Sequence, residues 1–325
     1  MDRRRDQRAA NDSPGRLSGR SIFASSSGAL RAPWRIIIFV AAALASYLVC
    51  ATIVGPIVTG AFDLAGVHGV SNESWVSAAA MLLATAFCLQ WVDKRSWRTV
   101  WLDAAAARPK WLASGFALGA LAIGVPIVAL VGSGWLRYTG GVPGSWWAAC
   151  VRVSLVLVPA ALAEELLTRG YILSVLKDSW GWMWAIAATS VGFGLLHIQN
   201  DGAGAWPVAL VTLAGVFLAA VVYATRSLYA AWMAHFAWNW TMAAVFHAAV
   251  SGYAFESPRY RYVDAGPDWA TGGDWGPEGG LPAAAGMAGG MVLLLSRRGA
   301  RWARGPASGD GTTDESTNER HEENG

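Results

Sequence analysis

Glu164, Glu165 and Arg169 stand within one long apolar run of this 325-residue chain. His197 closes the next run, in Phe193-Gly194-Leu195-Leu196-His197, and His235 and Asn239 lie inside a later one. Ionisable groups inside a membrane helix cost about 2.5–3.5 kcal/mol each on insertion scales, so each calls for a partner or a function. Spacing separates the two glutamates. Neighbours on a helix point about 100° apart, so Glu164 and Glu165 cannot share a face. Glu165 and Arg169 are four apart with the acid first, the favourable order for an ion pair on one face. Their expected role is structural: the pair neutralises two charges and fixes the rotation of the helix. Glu164 then faces another direction without a local partner, as a candidate general base. His235 and Asn239, also four apart, share a face of their own helix.

This set permits hydrolysis of a peptide bond. That reaction needs a base for the water, donors for the oxyanion and a proton for the leaving amine. Glu164 with His197 can activate the water, and His235 with Asn239 can donate to the oxyanion. Alternatively, Glu164, His197 and His235 form a His₂Glu set of the kind that holds a catalytic zinc with one open position. No His-Glu-x-x-His motif is present, so the usual soluble zinc-protease arrangement is absent. Spacing does not choose between a metal-free site and zinc.

The elements that must position these residues are membrane spans. Hydrophobic residues make up 54% of the chain and charged residues 14%, against about 25% charged in soluble domains. A bilayer core of about 30 Å needs roughly 20 apolar residues per helix. Eight runs qualify, at 34–57, 75–92, 111–131, 146–176, 183–199, 206–224, 228–248 and 281–296. The expected fold is an all-α, polytopic membrane helical bundle. At 1.5 Å per residue, Glu164 lies about 18 Å from the cytoplasmic end of its span. His197 and His235 lie about 21 Å and about 10 Å from the starts of theirs, so tilt must bring the three together.

Lysines and arginines give the orientation. Arg3, Arg4, Arg5, Arg8, Arg16, Arg20, Arg31 and Arg35 precede or open the first span. Lys94, Arg95, Arg98, Arg108 and Lys110 follow the second, Lys177 the fourth and Arg226 the sixth. Arg297, Arg298, Arg301 and Arg304 follow the eighth. With eight spans all of these fall on one side, and the opposite loops carry Arg137, Arg259 and Arg261. The expectation is a multi-pass protein of the cell membrane with both termini cytoplasmic. Its parts are a disordered basic tail over 1–32, a transmembrane domain over 33–296 with its motifs within 146–245, and a disordered tail over 297–325. The long loop 249–280 is Gly-, Pro-, Trp- and Asp-rich and expected outside. Cys50, Cys88 and Cys150 all lie in apolar runs and read as buried small hydrophobes. Trp34, Trp75, Trp91, Trp111, Trp146, Trp147, Trp182 and Trp206, near span ends, read as interfacial anchors.

Glu-Glu-x-x-x-Arg, Phe-x-x-x-His and His-x-x-x-Asn, in that order on successive spans, resemble the CAAX prenyl protease and bacteriocin-processing (Abi) family of intramembrane proteases. The resemblance covers roughly 146–245 and implies an eight-span bundle with a polar cavity. It implies that Glu164 and His197 activate water with His235 and Asn239 in support, and it leaves metal dependence open. Family members trim prenylated tails or are associated with bacteriocin maturation or immunity, so the resemblance does not fix the substrate. The leading expectation is an endopeptidase acting on a membrane-associated peptide or protein, with the lipid bilayer as its other partner and no nucleic acid. The competing classes are a non-catalytic immunity or scaffold protein that keeps the fold, and a coupled transporter. Inverted repeats or paired broken helices would mark the transporter, and the sequence has neither.

Overall fold

The computed structural model describes Phe23 and residues 30–255 and 258–303, with the side chains of 297–303 left aside. Most of the expected tail over 1–32, and the C-terminal stretch from 304, lie outside the described residues. The chain is an all-α membrane bundle. Helix α1 spans Ala32–Leu64. Helix α2, Glu73–Phe87, is extended by a wide π turn over Cys88–Val92. Helix α3 spans Pro109–Gly132. Helix α4, Trp146–Glu165, passes through a second π turn at Leu166–Tyr171 into α5, Ile172–Leu195. Helix α6 is Ala205–Thr225, and α7 is Leu228–Trp240 with a π turn at Thr241–Val245. Helix α8, Leu281–Ala303, runs past residue 296, where the C-terminal tail was expected to begin.

Five of these helical stretches are long and apolar enough to cross a membrane, and Leu281–Ser296 is a shorter apolar one. One of the five, Trp146–Leu195, is 50 residues long, more than twice what a single crossing needs. It is two spans. Gly181 divides them with φ 77° and ψ 174°, outside any helical region. That left-handed φ suits a residue without a Cβ, and it turns the chain back between the fourth and fifth expected spans. Each of the eight expected runs therefore has its own helical segment.

Connections segregate to two ends of the bundle. At one end, the Ser227 hydroxyl donates to the Ala106 carbonyl at 2.6 Å while accepting from the Ala230 amide as the N-cap of α7. The Leu228 amide donates to Trp101 O, the Ser174 hydroxyl to Thr99 O, and Arg95 pairs with Asp178. Arg35 pairs with Asp93 at the same end. The lysines and arginines of the second, fourth and sixth connections are gathered here. At the other end, β1 (Leu136–Val142) and β2 (Arg259–Asp264) pair antiparallel, from Leu136↔Asp264 to Val142↔Arg259. The sequence reading had no strand there; alternation is short and masked by Gly140 and Gly141. Asn200 donates to Ser251 O and the Gly252 amide to Trp275 O, tying the α5–α6 and α7–α8 connections together.

Two features set how closely the helices approach. Gly115 and Gly119 of α3 lie against α7, and a Cβ added there would stand 2.2 Å from Ala230 O and 2.0 Å from Ala234 O. The small residues let two backbones touch where lipid supplies no hydrophobic drive, and the seam ends one residue short of His235. Indole donors fix the registers. Trp75 donates to Leu155 O, Trp146 to Ala244 O, Trp206 to Gly279 O and Trp232 to Val158 O. Three of the tryptophans read as anchors from sequence thus also bond neighbouring backbone. The cysteines are free and buried.

Candidate active site

Helix α4 delivers the two glutamates in different directions. Glu165 is fully buried, and its Oε1 accepts from Arg169 Nη1 at 3.0 Å. The pair predicted from spacing is formed. Arg169 is equally buried. It also donates to Thr168 Oγ1 at 2.8 Å and Gly215 O at 3.2 Å, and its guanidinium lies 4.1 Å from the centre of the Phe193 ring. The cation thereby joins α4, α5 and α6. Directly ahead of it the helix widens to π geometry, and the Thr168 hydroxyl donates to Glu164 O at 2.6 Å. Insertions of this kind in α-helices are frequent at functional sites.

Glu165 has a further contact that spacing along one helix could not reveal. The same Oε1 lies 2.9 Å from His235 Nδ1 across the bundle. An ionised carboxylate only accepts, so Nδ1 carries the proton and Nε2 is turned to the opposite side. There Nε2 stands 3.9 Å from Glu164 Oε2. His197 is fixed in the same sense. It lies in the turn that follows α5, and its Nδ1 is 2.8 Å from Phe193 O, the carbonyl four residues earlier. A carbonyl also only accepts, so His197 Nδ1 donates and Nε2 is free, 3.9 Å from the same Glu164 Oε2. The Phe193 ring packs on both imidazoles, with centroids 4.8 Å from His197 and 5.8 Å from His235.

Glu164, His197, His235 and Asn239 thus line one cavity of about 500 Å³. Glu164 Oε2 is buried and has no hydrogen-bond partner among the described residues. Three acceptor-capable atoms converge on a gap too wide for direct hydrogen bonds, which run about 2.7–3.2 Å, and suited to an intervening water. The zinc alternative fits less well. Zinc ligands at about 2.0–2.2 Å in a tetrahedron stand about 3.3–3.6 Å from one another, below the two 3.9 Å separations. Among the described residues no group of three or more His, Cys, Asp or Glu side chains is placed to hold a metal ion.

One lining residue escaped the sequence reading. Glu278, from the connection before α8, is 6% exposed at the cavity wall. Its Oε2 accepts from Trp238 Nε1 at 3.0 Å, and its Oε1 accepts from the Ser251 amide and hydroxyl at 2.7 and 2.6 Å. It locks the α7–α8 connection onto α7 beside Asn239. A lone acid in a Gly- and Pro-rich loop carries no spacing signal, so only the fold exposes it.

Residues 145–241, from the N-cap of α4 to the start of the π turn after α7, match the family model described as type II CAAX prenyl endopeptidase Rce1-like. Over that segment the chain is similar to the CAAX protease family. The Rce1-like segment contains all seven motif residues; α1–α3, Glu278 and α8 lie outside it. No curated protein matches the chain. The family implies a peptidase, and with the apolar helices it makes this a membrane protein.

Proposed function

We propose that the protein is an intramembrane endopeptidase that hydrolyses a peptide bond of a membrane-associated peptide or protein with water held at Glu164. The observation that carries this reading is the approach of His197 Nε2 and His235 Nε2 to one unpartnered carboxylate oxygen, each at 3.9 Å. Water bound there gives one proton to Glu164, with His197 Nε2 accepting its second hydrogen bond. Its oxygen forms the new bond to the scissile carbonyl carbon. The carbonyl oxygen becomes the oxyanion and takes hydrogen bonds from the Asn239 amide and from His235, whose Nε2 donates when the ring is protonated. The buried Glu165 carboxylate is the counter-charge for that imidazolium. As the C–N bond breaks, Glu164 returns its proton to the amine, and the proton left on the new carboxyl group passes by way of His197 Nε2 to the departing amine, leaving a carboxylate and an ammonium group as products. Glu165 and Arg169 do not touch the reacting atoms and act as positioning residues for His235.

The test is incubation of the purified protein in lipid vesicles with membrane-associated peptides, reading new termini by mass spectrometry. Cleavage is expected, and it is expected to survive a strong chelator, because no step is routed through a metal. Absence of new termini over a broad peptide set would overturn the peptidase reading. Abolition by chelator with recovery on adding zinc would overturn the metal-free one.

A further inference from the structure

A second cavity, of about 820 Å³, lies between α3, the end of α6 and α8, and shares no lining residue with the one at Glu164. It runs along α3 from Trp111 to Ala129, about 27 Å at 1.5 Å per residue, nearly the thickness of a bilayer core. Its walls offer nothing to water. No lysine, arginine, aspartate or glutamate lines it. Its two hydroxyl residues are committed within their own helices, Ser114 donating to Trp111 O and Thr225 to Val221 O. Among the described residues, none of the buried polar atoms without a partner belongs to it. Such a cavity stays dry. Leu121, Val125 and Leu293 of its walls are exposed, so at membrane depth the groove opens sideways onto hydrocarbon. Its shape is a wedge. Helices α3 and α8 close on each other at Gly286, where an added Cβ would stand 1.9 Å from Ala122 O. Towards Trp111 the floor is α6, with Val221, Ala224 and Thr225. From Trp111 to Ala122 is about 16 Å along the helix, the depth of one leaflet.

Charge marks one end of this groove. Arg108 and Lys110, both exposed, stand at the start of α3. Lys110 Nζ lies 4.7 Å from the centre of the Trp111 ring, which lines the groove. The first turn of α3 holds no acidic residue, so the partial positive charge of the helix start adds to the two cations. We infer that the groove holds one acyl chain of an anionic phospholipid, its phosphate at Arg108 and Lys110 and its chain lying between α3 and α8 as far as Gly286. Both side chains are phosphate binders, and basic pockets between membrane helices recognise anionic headgroups. The dry wedge below them takes the chain. A partner helix is about 10–12 Å across, too thick for the place where α3 and α8 meet, whereas a single hydrocarbon chain fits up to it. This site is independent of the cleavage reaction and of the cavity that holds Glu164.

The experiment is native mass spectrometry of the full-length protein in detergent, mixed with phosphatidylglycerol or with phosphatidylcholine carrying the same chains. The wild type is expected to retain one phosphatidylglycerol with at least tenfold preference over phosphatidylcholine. Glycerol 3-phosphate, which has the charge without the chain, should not displace it. Arg108→Gln with Lys110→Gln should bring the preference to within twofold by removing the headgroup contacts. Gly289→Leu should lower retention of phosphatidylglycerol at least fivefold by filling the groove. A Cβ at Gly289 meets no atom within 4 Å, and leucine is the better helix former, so this variant should fold. Ala117→Leu on the α3 wall gives the same reading if little Gly289→Leu protein is obtained. Equal retention of the two lipids by the wild type would overturn the inference, as would unchanged retention in both groove-filling variants. Displacement by glycerol 3-phosphate would overturn the role of the chain. A dimer of the protein that Gly289→Leu dissociates would give the groove to a second copy and overturn it as well.

Discussion

Glu164→Gln is expected to abolish cleavage while leaving the protein folded. The amide keeps the size of the side chain but can neither take the proton of the attacking water nor return it to the amine. General acid–base groups contribute about 10²–10⁴ in rate, and here one residue serves both steps, so the fall should lie at the upper end of that range. The fold should tolerate the change. The Glu164 side chain is 35% exposed to the cavity and has no hydrogen-bond partner among the described residues, so no native bond is lost. Cleavage rate and thermal unfolding measured on one preparation check this. Full activity in the variant would remove Glu164 from the mechanism.

Arg169→Met should act in the opposite way, on the fold first. Both members of the Glu165–Arg169 pair are fully buried. Removing the cation leaves a buried carboxylate whose remaining partner is His235, and breaking a buried pair from one side costs about 3–5 kcal/mol. The cation–ring contact with Phe193 and the bond to Gly215 O are lost as well. Little folded protein should accumulate, and what does should unfold at a markedly lower temperature. The double variant Arg169→Met with Glu165→Leu leaves no unpaired charge and should regain much of the stability. It should still fail to cleave, because His235 Nδ1 has lost the acceptor that turns Nε2 toward Glu164. Wild-type stability in the single variant would contradict the account, as would full activity in the double one.

These two variants separate what the sequence carried from what it could not. Four-residue spacing gave the Glu165–Arg169 pair and the shared face of His235 and Asn239, because a helix fixes both locally. Apolar run length and the lysine and arginine pattern gave eight segments, including the division at Gly181 inside one continuous helical stretch. The bond from Glu165 to His235 joins residues 70 positions apart, and no local rule encodes it. Spacing had reduced Glu165 to holding its own helix together; tertiary packing makes it the residue that orients an imidazole on another one. The same limit hid Glu278, the β1–β2 ribbon and the contact of Gly115 and Gly119 with α7. The expectation of a cavity between helices was legible.

The central claim is that water attacks the peptide bond directly, with Glu164, His197 and His235 around it and no covalent link to the protein. Rapid-quench measurement of a single turnover, with enzyme in excess over a cleaved peptide in ¹⁸O-labelled water, tests this most directly. The account predicts that the amine and carboxylate halves appear together at one rate, with one labelled oxygen in the new carboxylate. A burst of the amine half ahead of the carboxylate half, with peptide mass held on the protein, would contradict it.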